Sequence, residues 1–159
     1  MQRICLFPGT FDPLTLGHVD IVNRALPLFD KIIVAVGVNS SKTPMFSPEQ
    51  RLLWVEEIFR DEPTVSGAMY EGLTVDFCRK VDARFILRGI RYVSDFEYEK
   101  TIADANRAMY PDIETVFLTG EPKYTSVAST IVRDILRNGG NARPFLPEAV
   151  IRSLDQKNA

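Results

Sequence analysis

Phe7-Pro8-Gly9-Thr10-Phe11-Asp12-Pro13-Leu14-Thr15-Leu16-Gly17-His18 follows the apolar run Ile4-Cys5-Leu6-Phe7 and leads into an amphipathic stretch. An apolar run, a short loop broken by glycine and proline, and a helical pattern, in that order, predict a strand, a phosphate-sized loop and a helix. Gly9, Pro13 and Gly17 punctuate the loop, and Gly17 is expected to let backbone approach a ligand where a Cβ would obstruct it. His18 falls in the first helical turn, where unpaired N–H groups and the positive end of the helix dipole favour an anion. An imidazole there can donate a charge-assisted hydrogen bond. His18 is the chain's only histidine, and a solitary histidine at a helix start is more often packing than chemistry, so its context decides.

Working outward, apolar runs of strand length recur at Ile4–Phe7, Ile32–Val36, Thr64–Met69, Phe85–Leu87 and Thr115–Leu118, with helical patterns between them. Such alternation predicts an α/β fold: one Rossmann-like domain over residues 1–159, a five-stranded parallel sheet with helices on both faces. The unbroken hydrophobicity of Ile32-Ile33-Val34-Ala35-Val36 marks a central strand covered on both sides. In open sheets of this kind ligands sit outside the carboxyl ends of strands, so the loops after each run are where chemistry is sought.

The first helix, from about Gly17, carries Ile21, Val22, Ala25, Leu26 and Phe29 on its apolar face, and Pro27 should kink or end it. Lys42 is the cation of the polar loop after the second strand. Ser47-Pro48-Glu49-Gln50 supplies an N-cap, a proline at the first helical position and a capping-box partner for the second helix. Leu52, Val55 and Phe59 read as core there, with Trp54 and Ile58 covering a neighbour. Thr74 opens a short helix. The fourth strand runs into Arg88-Gly89-Ile90-Arg91, two guanidinium groups suited to phosphate and a glycine permitting close approach.

Ser94-Asp95-Phe96-Glu97 reads as a second capping box, opening a long helix whose Tyr98, Ile102, Ala105 and Met109 repeat at helical spacing up to Pro111. Glu97 is then structural, and Glu99 is left free for a polar ligand contact or for solvent. Tyr124-Thr125-Ser126-Val127-Ala128-Ser129-Thr130 gathers more hydroxyls at a helix start than capping needs, which suggests a second phosphate cradle with Arg133 a turn further on. Asn138-Gly139-Gly140-Asn141 stops that helix, a last one spans about 147–155, and the polar end from Gln156 should fray.

Composition closes off several classes. A net charge of −2, with no basic run of five or more, implies neither a nucleic-acid surface nor a membrane surface. Cys5 and Cys78 are far apart and outside any metal-ligand or redox spacing, which predicts buried reduced thiols. The absence of a signal-like start or a spanning apolar run leads us to expect a cytoplasmic protein. Neither a P-loop nor a Gly-x-Gly fingerprint occurs.

Two anion-favouring helix starts with Lys42, Arg88 and Arg91, and no plausible nucleophile, suit phosphoryl or nucleotidyl transfer by alignment and charge stabilisation. The segments Gly9-Thr10-Phe11-Asp12-Pro13, Thr15-x-Gly17-His18, Ser41-Lys42, Arg88-Gly89-x-Arg91, Asp95-Phe96-Glu97-Tyr98-Glu99 and Phe145-Leu146-Pro147-Glu148 carry a further resemblance. Thr15-x-Gly17-His18 resembles the T/HxGH signature of the nucleotidyltransferase superfamily, and the whole chain is similar to the bacterial phosphopantetheine adenylyltransferases. The resemblance implies adenylyl transfer from ATP to 4′-phosphopantetheine, giving dephospho-coenzyme A and pyrophosphate in the penultimate step of coenzyme A biosynthesis.

It further implies that Thr10 and Lys42 orient the acceptor phosphate, that Thr74 and Arg88 line the pantetheine side, and that His18 stabilises charge at the α-phosphate, with Arg91 also catalytic. Thr10, Phe11, His18, Gly89, Ile90, Arg91, Glu99 and Tyr124 through Thr130 (Thr125, Ser126, Val127, Ala128 and Ser129 between) would hold ATP. Magnesium would ride on the phosphates without a protein cage. A homohexamer and feedback by coenzyme A are likewise implied. Where that family often carries Ile-Ser-Ser-Ser/Thr, this chain has Val127-Ala128-Ser129-Thr130, so residue 128 offers only its backbone N–H. The rival readings are a T/HxGH enzyme acting on nicotinamide mononucleotide or a polar-alcohol phosphate, and a noncatalytic adenine-nucleotide sensor.

Overall fold

The computed structural model describes residues 1–39, 41 and 43–158. Lys42 therefore lies outside the described residues. The strands are β1 (Ile4–Gly9), β2 (Lys31–Gly37), β3 (Val65–Tyr70), β4 (Phe85–Ile90) and β5 (Glu114–Thr119). The α-helices are α1 (Leu16–Ala25), α2 (Pro48–Ile58), α3 (Thr74–Lys80), α4 (Val93–Met109), α5 (Ser129–Arg137) and α6 (Glu148–Asn158). All strand pairs are parallel, in the order β3-β2-β1-β4-β5, so the chain reverses its direction of winding beside β1.

Pleat alternation divides the core. Cys5, Phe7, Ile32, Val34, Val36 and Leu87 face α1 and α2, packing on Ile21, Val22, Ala25, Val55 and Phe59. Leu6, Ile33, Ala35 and Ile86 face the other way, onto Val75 and Cys78 of α3. Both cysteines are buried and free, and burial pushes the Cys78 thiol up to about 12. Trp54, wholly buried on the outer side of α2, joins Phe46, Val132, Leu146 and Val150 in a third cluster that ties α5 and α6 to α2.

Pro27 acts as expected: α1 stops at Ala25 and a 3-10 turn, Leu26–Leu28, follows. Other boundaries differ. β4 continues three residues past Leu87, because its partner β5 keeps pairing out to Ile90 opposite Thr119. Arg88 and Gly89 are thus strand residues. The Cβ that Gly89 lacks would come within 3.1 Å of Ile21, so this glycine lets α1 lie close against the sheet. At its end α6 runs past Gln156 to Asn158, with the Lys157 ammonium 5.4 Å over the Phe46 ring.

α4 starts one residue ahead of Ser94. The Asp95 carboxylate accepts from the N–H groups of Arg91 (3.0 Å) and Tyr92 (3.1 Å), so Asp95 is the capping acid and Glu97 lies exposed. The apolar positions Tyr98, Ile102 and Met109 stay exposed, and Glu99 is the buried residue of this helix.

Candidate active site

The loop between β1 and α1 forms the floor of a cleft at the carboxyl ends of β1, β4 and β5. Phe11 takes a left-handed conformation, φ 50°, unusual for a bulky residue and sustained here by what surrounds it. Its ring is buried edge-on to Phe7 and His18, 5.0 Å from the imidazole centroid. It also lies over Gly9, where a Cβ would come within 2.8 Å of it. Gly17 lines the same cleft, and a Cβ there would meet only ordinary contacts, the nearest 3.5 Å away at the Val127 carbonyl.

α1 is capped by Thr15, with His18 in the position usually held by Glu or Gln. The Thr15 N–H donates to His18 Nδ1 at 3.0 Å, and the Thr15 hydroxyl lies 3.0 Å from the same nitrogen. Accepting there fixes the tautomer, so Nε2–H, on the far side of the ring, is the donor left for the cleft. Burial, with Arg91 and Arg88 nearby, lowers the His18 pKa to about 4. The imidazole is neutral near pH 7, and the expected charge-assisted bond takes its charge from the anion alone.

Two cavities open off this floor. The larger, about 1550 Å³, is lined by Phe11, His18, Gly89, Ile90, Arg91, Glu99, Tyr124, Thr125, Val127, Ala128, Ser129 and Thr130 among others. Ser126 is not among its lining residues. The smaller, about 740 Å³, is lined by Thr74, Tyr70, Leu73, Arg51 and Asn106. Thr10, Arg88 and Glu99 border both. The residues assigned to nucleotide and to acceptor thus separate into adjoining spaces that meet at Thr10 and Arg88.

Glu99 is not the free carboxylate the sequence suggested. It grips Arg88 through two parallel hydrogen bonds, 2.7 Å from Nε and 2.6 Å from Nη2, while Arg88 Nη1 donates to the Pro8 carbonyl at 2.8 Å. A guanidinium held on three sides has one orientation, and of its five N–H donors one on each Nη is left for a phosphate. On the opposite wall, Ser129 Oγ donates to the Pro13 carbonyl at 2.8 Å, and Arg133 Nη1 to the Asp12 carbonyl at 2.8 Å. Part of the hydroxyl and cation surplus at the α5 start therefore holds the first loop. Arg24 and Arg137, unremarked in the sequence, also line the larger cavity.

The carboxylates lining the larger cavity each have a partner among the described residues. Asp12 accepts from the N–H groups of Met45 and Phe46, both at 2.9 Å; Asp95 caps α4, Glu99 holds Arg88, and Glu121 pairs with Lys123 at 2.9 Å. Among the described residues no cluster of three His, Cys, Asp or Glu could hold a metal ion.

A parallel sheet with its winding reversal beside β1, and a Thr-x-Gly-His helix start under a cleft of about 1550 Å³, fit a nucleotidyltransferase, and the family comparison places the chain in that class. The model of the cytidylyltransferase-like family matches residues 6–135. The likeness to the bifunctional NMN adenylyltransferase/ADP ribose pyrophosphatase of Francisella tularensis is one of fold: TM-score 0.70, 21% identity, 92% of this chain and 45% of that one.

Sequence relatives narrow the class. The phosphopantetheine adenylyltransferase of Flavobacterium psychrophilum is 54% identical over 94% of this chain and 98% of its own length. That of Phocaeicola vulgatus is 49% identical over 94% and 98%, and that of Leptospira biflexa 44% over 99% and 98%. The chain belongs to the phosphopantetheine adenylyltransferase family.

Proposed function

We propose that the protein transfers the adenylyl group of ATP to 4′-phosphopantetheine, the reaction that serves coenzyme A biosynthesis. The observation that carries this reading is the pair of cavities joined at Thr10 and Arg88, with a neutral His18 on the floor of the larger. In this assignment ATP occupies the larger cavity, against Phe11, Gly89, Ile90, Arg91 and the Tyr124–Thr130 segment. The acceptor occupies the smaller, against Thr74 and Arg88, with Thr10 and Lys42 at its phosphate.

An oxygen of the acceptor phosphate forms a bond to the α-phosphorus as the bond to the bridging oxygen breaks, and pyrophosphate leaves. The nucleophile is already an anion, so no residue of the chain has to remove a proton from it. The chain aligns the two phosphates, which can supply about 7–11 kcal/mol of the barrier, and places donors where charge develops. His18 Nε2–H is one such donor, and the backbone N–H groups at the α1 and α5 starts are others. Magnesium, if carried by the ATP phosphates, would supply charge neutralisation for the leaving pyrophosphate, and the carboxylates of the larger cavity, each already engaged, would leave it to the phosphates.

One domain, a cytoplasmic location and assembly as a homohexamer complete the reading. Among the described residues no helix is long and apolar enough to cross a membrane. The apolar positions left exposed on α4 favour self-association. Coenzyme A shares the pantetheine arm of the acceptor and would compete for the smaller cavity as a feedback inhibitor.

The test is incubation of the protein with Mg-ATP and 4′-phosphopantetheine, with dephospho-coenzyme A read by mass and pyrophosphate by a coupled assay. Equal amounts of both are expected, and His18→Ala should fold yet turn over about 10²–10³-fold more slowly, the usual effect of losing one charge-stabilising donor. ATP binding with neither product would reject the reaction. Near-normal turnover by His18→Ala would reject the role of the histidine.

A further inference from the structure

Arg51 is a buried cation that the adenylyl transfer leaves unused. It sits in the first turns of α2 and is only 2% exposed. Among the described residues its hydrogen bonds all go to main-chain carbonyls: Nε to Phe46 at 3.1 Å, and Nη1 to Thr10 at 2.6 Å and Gly37 at 3.2 Å. These carbonyls belong to separate pieces of chain, namely the loop after β1, the last residue of β2 and the turn before α2. Taking a guanidinium out of water is costly, and an apolar side chain could fill the same space. What an apolar side chain could not do is hold three backbone segments in one fixed fork.

The segment it holds is strained. Phe11, in the left-handed region, persists because its neighbours are fixed: the Thr10 carbonyl by Arg51, the Asp12 carbonyl by Arg133 and the Pro13 carbonyl by Ser129. Arg133 and Ser129 both reach in from α5. Arg51 reaches in from α2, and it also binds Gly37, which lies with Thr10 and Arg51 itself on the wall of the smaller cavity. The Asp12 carboxylate works beside it, tying Met45 and Phe46 to the same loop.

We propose that Arg51 is a positioning residue for the acceptor side of the site, setting the Thr10 peptide and the end of β2 so that the smaller cavity keeps its shape. This rests on the reading that the smaller cavity takes the acceptor. Arg51→Lys keeps a cation but carries its three N–H donors on one nitrogen, which cannot stand where both Nε and Nη1 donate.

Arg51→Lys and Arg51→Gln are compared with the wild type for folding by circular dichroism, for KM of both substrates and for amide hydrogen exchange over residues 9–13. The expected outcome in a folded variant is an acceptor KM raised roughly tenfold or more, as for a lost charge-assisted hydrogen bond, with a clearly smaller rise in KM for ATP, which meets the same loop at Phe11. Exchange over residues 9–13 should quicken while the rest of the sheet is unchanged. An equal rise in both KM values, no rise in either, or unchanged exchange in the loop would overturn the proposal. So would failure of both variants to fold, which would make Arg51 a purely structural residue. If the wild type itself yields no dephospho-coenzyme A, it is the functional reading that fails, and exchange over residues 9–13 still decides whether Arg51 holds the loop.

Discussion

His18 is kept neutral from two directions. Its Nδ1 must keep a lone pair for the Thr15 N–H, and burial with Arg91 and Arg88 pulls its pKa from 6.5 to about 4. The linkage has a definite sign. As pH falls from about 6.5 to about 4 the unfolded chain takes up a proton that the folded chain refuses. This contribution to stability is intact above that window, declines through it by at most about 1.4 kcal/mol per pH unit, and is fully lost below it. Denaturant unfolding at about pH 7.5 and about pH 5 should therefore show wild type losing more stability than His18→Gln across the interval. Equal losses would mean that the folded histidine titrates at its ordinary value. At this scale the sequence located the imidazole, through the helix start and the glycine before it, but not its protonation state. That state depends first on burial by the folded chain and then on Arg91 and Arg88, some seventy residues away, brought in by β4 and the turn after it. Arg51 was illegible for a similar reason: a guanidinium early in a helix looks solvated until the fold covers it.

Strand and helix limits are decided by partners, and β4 with α4 shows how. Phe85-Ile86-Leu87 is the apolar part of β4, but hydrogen bonds to β5 carry the strand to Ile90. Only Arg91 and Tyr92 then remain before the helix, and the capping acid becomes Asp95 instead of Glu97. Only Ser94-x-x-Glu97 satisfies the capping-box pattern in the sequence, so it is the length of the strand, against that pattern, that puts Tyr92 at the cap and Asp95 at the third position. Asp95 also lies 3.4 Å from the Arg91 guanidinium, which joins the cap to the cleft. Asp95→Ala should lower stability by about 1 kcal/mol, the usual effect of a lost cap, and weaken ATP binding by loosening Arg91. Thermal unfolding together with KM for ATP measures both effects. A variant of unchanged stability would return the cap to Ser94.

Across the whole molecule the covering of the sheet is uneven. β1 and β2 are sealed by α1 and α2 on one face and α3 on the other, and α5 with α6 adds a further layer over Trp54. At the β5 edge no strand residue is fully buried, and α4 buries only Glu99. Tyr98, Ile102 and Met109 instead form a helical stripe that is 69%, 39% and 45% exposed. The i, i+4 spacing of the first two made this stripe legible in the sequence, but spacing cannot say whether a neighbouring element or another copy of the chain covers it. Among the described residues nothing does, and a contiguous apolar stripe left open to water is unfavourable. Sedimentation should therefore show a species well above the 18.0 kDa of one chain, with six copies expected for the proposed homohexamer. Met109 lines neither cavity, so Met109→Lys puts a charge on the stripe away from the site. It should shift the protein toward monomer and lower its thermal midpoint, because the association that stabilises the folded chain is lost. A wild type that sediments as a monomer at micromolar concentration would refute the assembly and leave the stripe unexplained; a Met109→Lys variant that stays fully associated would move the contact to another face.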